Sequence, residues 1–156
     1  MRFNHEDFYE IHRMKFDSKK DLLFCTVILG INAFLIGIAI FAILMGDVGK
    51  DGYWAMILIF AVVVLLFWLF FGTDYELSKE HGLKYRSGPF RGKIAVDRIT
   101  EIVKGKTLWV GFRPATARKG LIVKYDRYNE IYISPKTNET FIEKILELNG
   151  KIKIAE

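Results

Sequence analysis

Five basic side chains flank the segment that precedes Leu121, and they are the most suggestive chemical feature of the sequence. They are Lys104, Lys106, Arg113, Arg118 and Lys119, with Trp109 and Phe112 between them. A cationic side chain near an anionic membrane surface gains about 1 kcal/mol, and an aromatic ring can enter the interfacial layer. The pattern predicts a site for anionic lipid or for a binding partner. An ordinary solvated loop is the alternative that the sequence leaves open.

Catalytic and cofactor motifs are incomplete. The Gly-Lys-Thr triplet at residues 105–107 matches the end of a P-loop, but the motif needs a glycine at position 100, which holds Thr100. No Ser, Thr or Cys lies in a nucleophile motif. The histidines lack Cys or carboxylate partners at metal-ligand spacing, and they are His5, His12 and His81. We therefore expect a protein that is not an enzyme and that uses no metal or cofactor.

Two uncharged runs, residues 22–45 and 53–72, precede the basic residues and would anchor any such site at a membrane. At about 1.5 Å per helical residue, each run is long enough to cross the roughly 30 Å hydrocarbon core of a bilayer. The glycine-rich loop at residues 46–52 suits a reversal at the membrane surface. The pattern predicts a transmembrane helical hairpin over residues 22–72, an integral membrane protein in contact with lipid, and a multi-pass topology.

Charge sets the predicted orientation of this hairpin. The loop holds one Lys and two Asp, whereas five Lys or Arg precede residue 22 and 17 follow residue 72. The positive-inside rule then places both termini in the cytoplasm of a cell with an inner membrane. Cys25 is the single cysteine, so an intrachain disulfide is excluded.

Small and polar residues in the first run predict helix packing. Gly30, Ala33 and Gly37 recur at helical spacing, which lets a second helix approach closely, and Asn32 is expected to bond to a neighbouring helix. The second run of the same chain is the nearest partner. Pairing between chains, which would give a homo-oligomer, stays open.

The aqueous part of the chain is predicted to be one small domain at residues 73–156, with residues 1–21 as a cytoplasmic tail or a short interfacial helix. Beyond residue 72 the apolar residues alternate, which predicts six or seven short strands. One amphipathic helix follows over residues 135–149. The predicted class is α+β, with a β-barrel or sandwich closed by a C-terminal helix.

Several short segments resemble the small bacterial pleckstrin-homology (PH)-like membrane proteins of the YyaB type. These segments are residues 16–21, 75–77, 115–125, 133–136 and 141–142, and the resemblance covers nearly all of residues 14–154. The resemblance implies a membrane hairpin that carries a partly open β-barrel closed by its last helix. It implies no settled chemistry.

The leading functional hypothesis is a non-enzymatic, membrane-anchored PH-like module that binds a protein or peptide at the inner membrane face. An exposed strand edge or a groove beside the helix at residues 135–149 is the expected docking surface. Two alternatives remain: a domain that senses anionic lipid through the basic loop at residues 104–119, and a hairpin that oligomerises into a membrane scaffold, as in a bacteriocin-immunity or envelope-stress component. Nucleic acid is not an expected partner, because no recognition motif for it is present.

Overall fold

The computed structural model describes residues 13–46, 49–108 and 111–156. Two long apolar helices come first, α1 at Leu22–Leu44 and α2 at Lys50–Phe71. Both are long and apolar enough to cross a membrane. Their bounds agree with the two predicted runs, except that α2 begins within the predicted loop, part of which lies outside the described residues.

A domain of two four-stranded sheets and one helix follows the hairpin. The first sheet has the order β1-β2-β3-β4, with β1 at Arg13–Asp17, β2 at Thr73–Ser78, β3 at Gly82–Ser87 and β4 at Phe90–Ile94. The second has the order β7-β6-β5-β8, with β5 at Ile99–Lys104, β6 at Leu121–Tyr125, β7 at Asn129–Ile133 and β8 at Lys153–Ala155. Helix α3 at Asn138–Leu148 packs against them. The α+β class is therefore confirmed, as a sandwich whose sheets do not close into a barrel.

Strand β1 corrects the expectation for the segment before the hairpin. A tail or a short helix was predicted there, but Arg13–Asp17 forms a strand that pairs antiparallel with residues 74–78 of β2. The first sheet is thus built from chain on both sides of the helices. Residues 1–12 lie outside the described residues.

The core follows the alternation of the strands and the apolar stripe of α3. Side chains from both sheets meet at its centre, and the fully buried ones include Leu77, Leu83, Ile102, Val123 and Ile131. Phe141 and Ile145 of α3 are also fully buried. The ring of Phe16 packs edge-on against Phe141, with 5.1 Å between centroids, so β1 contributes to this core as well.

Four buried hydroxyl groups, which we call the hydroxyl cluster, tie the start of α1 to the domain. They belong to Ser18, Tyr75, Thr116 and Ser134. The Oγ atom of Ser18 lies 2.8 Å from the Oγ1 atom of Thr116 and 3.0 Å from the Oγ atom of Ser134. The Tyr75 hydroxyl donates to the carbonyl of Pro114 at 2.5 Å and accepts from the Ser134 N–H at 3.0 Å. These bonds fix the direction in which the chain enters α1.

The hairpin packs differently from the prediction. Asn32 is buried, but its amide donates to the Ile28 carbonyl of its own helix at 2.7 Å. A Cβ atom at Gly30 or Gly37 would meet no heavy atom within 4 Å among the described residues, and Ala33 is exposed. The small residues of α1 therefore face away from α2.

The domain contacts the C-terminal end of α2. The Gly88 N–H, in the turn between β3 and β4, donates to the Gly72 carbonyl at 3.1 Å. The Thr73 hydroxyl caps the Leu69 carbonyl at 2.7 Å. The Lys20 ammonium lies 4.2 Å from the ring centroid of Phe71. These contacts hold the turn between β3 and β4 beside the helix ends.

Candidate functional site

A groove of about 550 Å³ crosses the outer face of the first sheet. Its floor is the backbone of one row of paired residues, which are Phe16, Tyr75, Tyr85 and Gly92. Because side chains alternate along a strand, the side chains of this row point to the other face, where Tyr75 is buried in the core. The volume lies within the range of small-molecule sites.

Two rows of charged side chains form the walls of this groove. One row is Lys15, Glu76, Lys84 and Lys93, and the other is Asp17, Asp74, Arg86 and Arg91. The registers place these residues on successive strands at the same level, so each row runs straight across the sheet. We call this feature the charged groove. It holds five basic and three acidic side chains.

The two ends of the charged groove differ in how their charges are paired. On the β1 and β2 side, Asp74 accepts from Arg86 at 2.6 Å, and Glu76 lies 3.4 Å from the Lys84 ammonium. On the β4 side, Arg91 and Lys93 are exposed, and within residues 13–46, 49–108 and 111–156 neither forms a salt bridge. The β4 end therefore keeps an uncompensated positive charge that can attract an anionic group.

Gly92 makes room for the Tyr85 ring on the face of β4 opposite the charged groove. A Cβ atom at this position would overlap the ring and hydroxyl of Tyr85. We expect Gly92→Ala to displace the Tyr85 ring and to lower the free energy of unfolding by about 1–3 kcal/mol, as overpacking does in cores. Chemical denaturation measures this loss. Gly105→Ala is the contrasting variant: space around Gly105 is open among the described residues, so any loss there reflects only its positive φ of 75°. Equal destabilisation by both would contradict the packing argument.

Basic residues of the predicted loop form ion pairs and hydrogen bonds with other groups of the same chain. The Lys104 ammonium lies 2.9 Å from a carboxylate oxygen of Glu139 at the start of α3. This hydrogen bond raises the pKa of Lys104 and lowers the pKa of Glu139. The Lys106 ammonium donates to the Glu156 carbonyl at 2.8 Å. Lys104 thus links the end of β5 to α3, and Lys106 contacts the backbone that follows β8.

The remaining residues of the predicted basic loop lie on several surfaces. The Arg113 guanidinium lies 5.4 Å from the ring centroid of Tyr132, and Lys119 accepts from the Asn138 amide through its carbonyl. Phe112 is half exposed and contacts the ring of Tyr85 beside β4. Trp109 lies outside the described residues. The structure therefore assigns packing contacts to most of this loop, and its role as a lipid site stays a prediction.

Arg118 pairs with Asp21 just before α1. Its Nε atom donates to the Asp21 carboxylate at 2.6 Å, and this hydrogen bond lowers the pKa of Asp21. A carboxylate with a lowered folded pKa stabilises the protein above its unfolded pKa, and this contribution is lost as the pH falls through the folded pKa. We expect Arg118→Gln to raise the pKa of Asp21, as measured by carboxyl-resolved NMR titration. Arg127→Gln should leave it unchanged, and a lowered Asp21 pKa in both variants would contradict the pairing.

The charged groove was not predicted from the sequence, although a signal for it is present. Charged residues at spacing i and i+2 occur in each of the four strands, and the pairs are Lys15 and Asp17, Asp74 and Glu76, Lys84 and Arg86, and Arg91 and Lys93. This period places both members of a pair on one face of a strand. The pattern joins into one site only when the strand order is known.

Comparison with known proteins gives the family. The model of the bacterial PH domain family matches residues 73–149. The chain is 30% identical over 142 residues to the uncharacterized protein YyaB of Bacillus subtilis strain 168, an alignment that covers 90% of this chain and 97% of YyaB. No solved structure matches the chain significantly. The resemblance seen in the short motifs is confirmed, and the chain belongs to the bacterial PH domain family.

Proposed function

We propose that the protein is a non-catalytic, membrane-anchored PH module that binds an acidic protein or peptide segment in the charged groove. The observation that carries this proposal is the uncompensated charge of Arg91 and Lys93 at the β4 end. Opposite charge across a binding surface speeds association and selects the partner. The groove is open and is lined by backbone and charged side chains, which suits an extended segment.

The pairing of β1 with β2 indicates that the start of α1 and the end of α2 lie on the same side of the membrane. Asp17 of β1 pairs with Asp74 of β2, and these strands lie directly before α1 and after α2. A hairpin that crosses the membrane twice returns its outer ends to one side. By the positive-inside rule, Lys19 and Lys20 before α1 and the basic residues after α2 favour the cytoplasm as that side. The charged groove then faces the cytoplasm beside the inner membrane surface.

Sensing of anionic lipid through residues 104–119 is the less favoured alternative. Lys104, Lys106 and Arg118 of this loop already bind groups of the same chain. Recruiting them to phosphate would require these contacts to open. Arg91 and Lys93 require no such opening, so the groove is the better anionic site.

A fluorescent acidic peptide of random sequence tests the proposal on the full chain in nanodiscs of zwitterionic lipid. Arg91→Glu combined with Lys93→Glu should weaken binding by about tenfold or more, because it replaces two attractive charges with repulsive ones. Lys79→Glu combined with Lys151→Glu is the matched control, since it makes the same change of charge at exposed residues outside the groove.

If both double variants weaken peptide binding equally, the effect comes from the overall charge of the protein, and a binding site in the groove is contradicted. Native mass spectrometry in mixed lipid separates the lipid alternative. If the groove variant binds the peptide normally but retains fewer anionic lipids than the control, the ligand is a headgroup and the proposal fails.

Self-association is a second candidate function, favoured by the exposed small residues of α1. Gly30, Ala33 and Gly37 are exposed, and a Cβ atom at either glycine would meet no described heavy atom within 4 Å, so a helix of a second copy can reach them. Gly37→Leu should abolish association in detergent if this surface is used. An unchanged oligomeric state in that variant would exclude the candidate.

A further inference from the structure

The outer edge of β4 is open. β4 is the last strand of the first sheet, and its described backbone pairs only with β3. The other edges are occupied in part. Ser18 at the end of β1 bridges to Pro135, the Tyr132 N–H of β7 donates to the Phe112 carbonyl, and β8 is only three residues long. β4 is therefore the edge best able to accept another strand.

The register of the β3–β4 hairpin shows which backbone groups face this edge. Ser87 pairs with Phe90 across the two-residue turn, in which Gly88 has a φ of +56°. In such a hairpin the residues that flank the turn form a hydrogen-bonded pair, and pairs alternate from there. Gly92 is then bonded to β3, whereas the N–H and C=O groups of Arg91 and Lys93 point outward.

The two faces of β4 carry different kinds of side chain beside these backbone groups. Arg91 and Lys93 project into the charged groove on one face of β4. On the other face Gly92 has no side chain and lies against the Tyr85 ring, while Phe90 and Phe112 are 54% and 44% exposed nearby. A strand laid along β4 would meet two cations on one face and an aromatic surface on the other.

We propose that an extended segment of a partner protein adds to β4 as an antiparallel fifth strand, with carboxylates at positions i and i+2 and an apolar residue between them. The two carboxylates lie opposite Arg91 and Lys93, and the apolar residue contacts Tyr85, Phe90 and Phe112. Backbone bonds to the outward groups of β4 hold the segment, and cross-strand pairs select its sequence. This inference rests on the proposed function and deepens it by naming the conformation and sequence pattern of the ligand.

Four synthetic peptides of equal length test the inference on the full chain in zwitterionic nanodiscs. The first has Glu-Val-Glu at its centre, and the second has the same residues in the order Glu-Glu-Val. The third is the first with both Glu nitrogens methylated, which removes the donors that face β4. The fourth replaces both Glu residues with Lys. Fluorescence anisotropy gives each affinity, and hydrogen exchange reports on the amides of Arg91 and Lys93.

The alternating acidic peptide should bind about tenfold or more tightly than the other three, and it should slow exchange of the Arg91 and Lys93 amides. The variant with Arg91→Glu and Lys93→Glu should prefer the Lys-Val-Lys peptide, which a misfolded domain would not do. If the three acidic peptides bind equally and the two amides exchange freely, strand addition is wrong while an acidic ligand in the groove stands. If no acidic peptide binds, both proposals are overturned.

Discussion

A fragment of residues 73–156 is expected not to form the native domain, although this range contains the whole family match. The fragment lacks β1, which pairs with β2 from Arg13 opposite Ser78 to Asp17 opposite Asp74. It also lacks the ring of Phe16, which covers Phe141. Losing a full edge strand and its buried ring exposes the core and leaves β2 as a new unpaired edge.

The matched control for this fragment replaces the hairpin, residues 22–72, with a flexible Gly/Ser linker and keeps residues 13–21. We expect the linked chain to give dispersed NMR amide signals and a cooperative melting transition, and the fragment to aggregate or to lack that transition. Native melting of the fragment at the same temperature as the linked chain would contradict the role assigned to β1.

Tyr75→Phe is expected to destabilise the domain by about 1–3 kcal/mol, the usual cost of leaving a buried polar group unsatisfied. The Tyr75 hydroxyl is buried and satisfies both the Ser134 N–H and the Pro114 carbonyl. Removing it leaves both backbone groups without their partner, and Phe fills the remaining space. Tyr128→Phe is the control, because Tyr128 is 84% exposed and should change stability by less than about 0.5 kcal/mol.

Alkaline pH gives a second readout for Tyr75. Burial raises the pKa of this hydroxyl above that of an unfolded tyrosine. A raised folded pKa contributes stability that is present below the unfolded pKa and is lost as the pH rises toward the folded pKa. Stability should therefore fall above about pH 10, and less steeply in Tyr75→Phe. Parallel pH profiles for the two proteins would contradict burial of a protonated hydroxyl.

The sequence predicts the elements of this fold better than their long-range pairing. The uncharged runs of the hairpin and the alternation in β2, β3, β6 and β7 are local patterns, so helix and strand types follow from them directly. Strand β1 has the same alternation, with Met14 and Phe16 on one face, but it is short and lies before a helix. Its partner is β2, on the far side of the hairpin, and no local pattern indicates that contact.

The candidate site shows the same difference between local and distant information. The basic residues of loop 104–119 are close in sequence, which suggested a site, but the acids that pair with them lie elsewhere. Asp21 is 97 positions from Arg118, and Glu139 lies on α3. The charged groove is the converse case, since its charges are dispersed over four strands and only the strand order joins them. Composition indicates how much positive charge a domain carries, whereas tertiary pairing decides where it stays uncompensated.

NMR mapping of an acidic peptide on the isotope-labelled full chain in zwitterionic nanodiscs would locate the peptide-binding site residue by residue. If the peptide binds in the charged groove, the amide signals that shift with peptide concentration should belong to β3 and β4, with the largest changes at Arg91 and Lys93. Shifts confined to residues 104–119 and α3 would contradict a binding site in the charged groove.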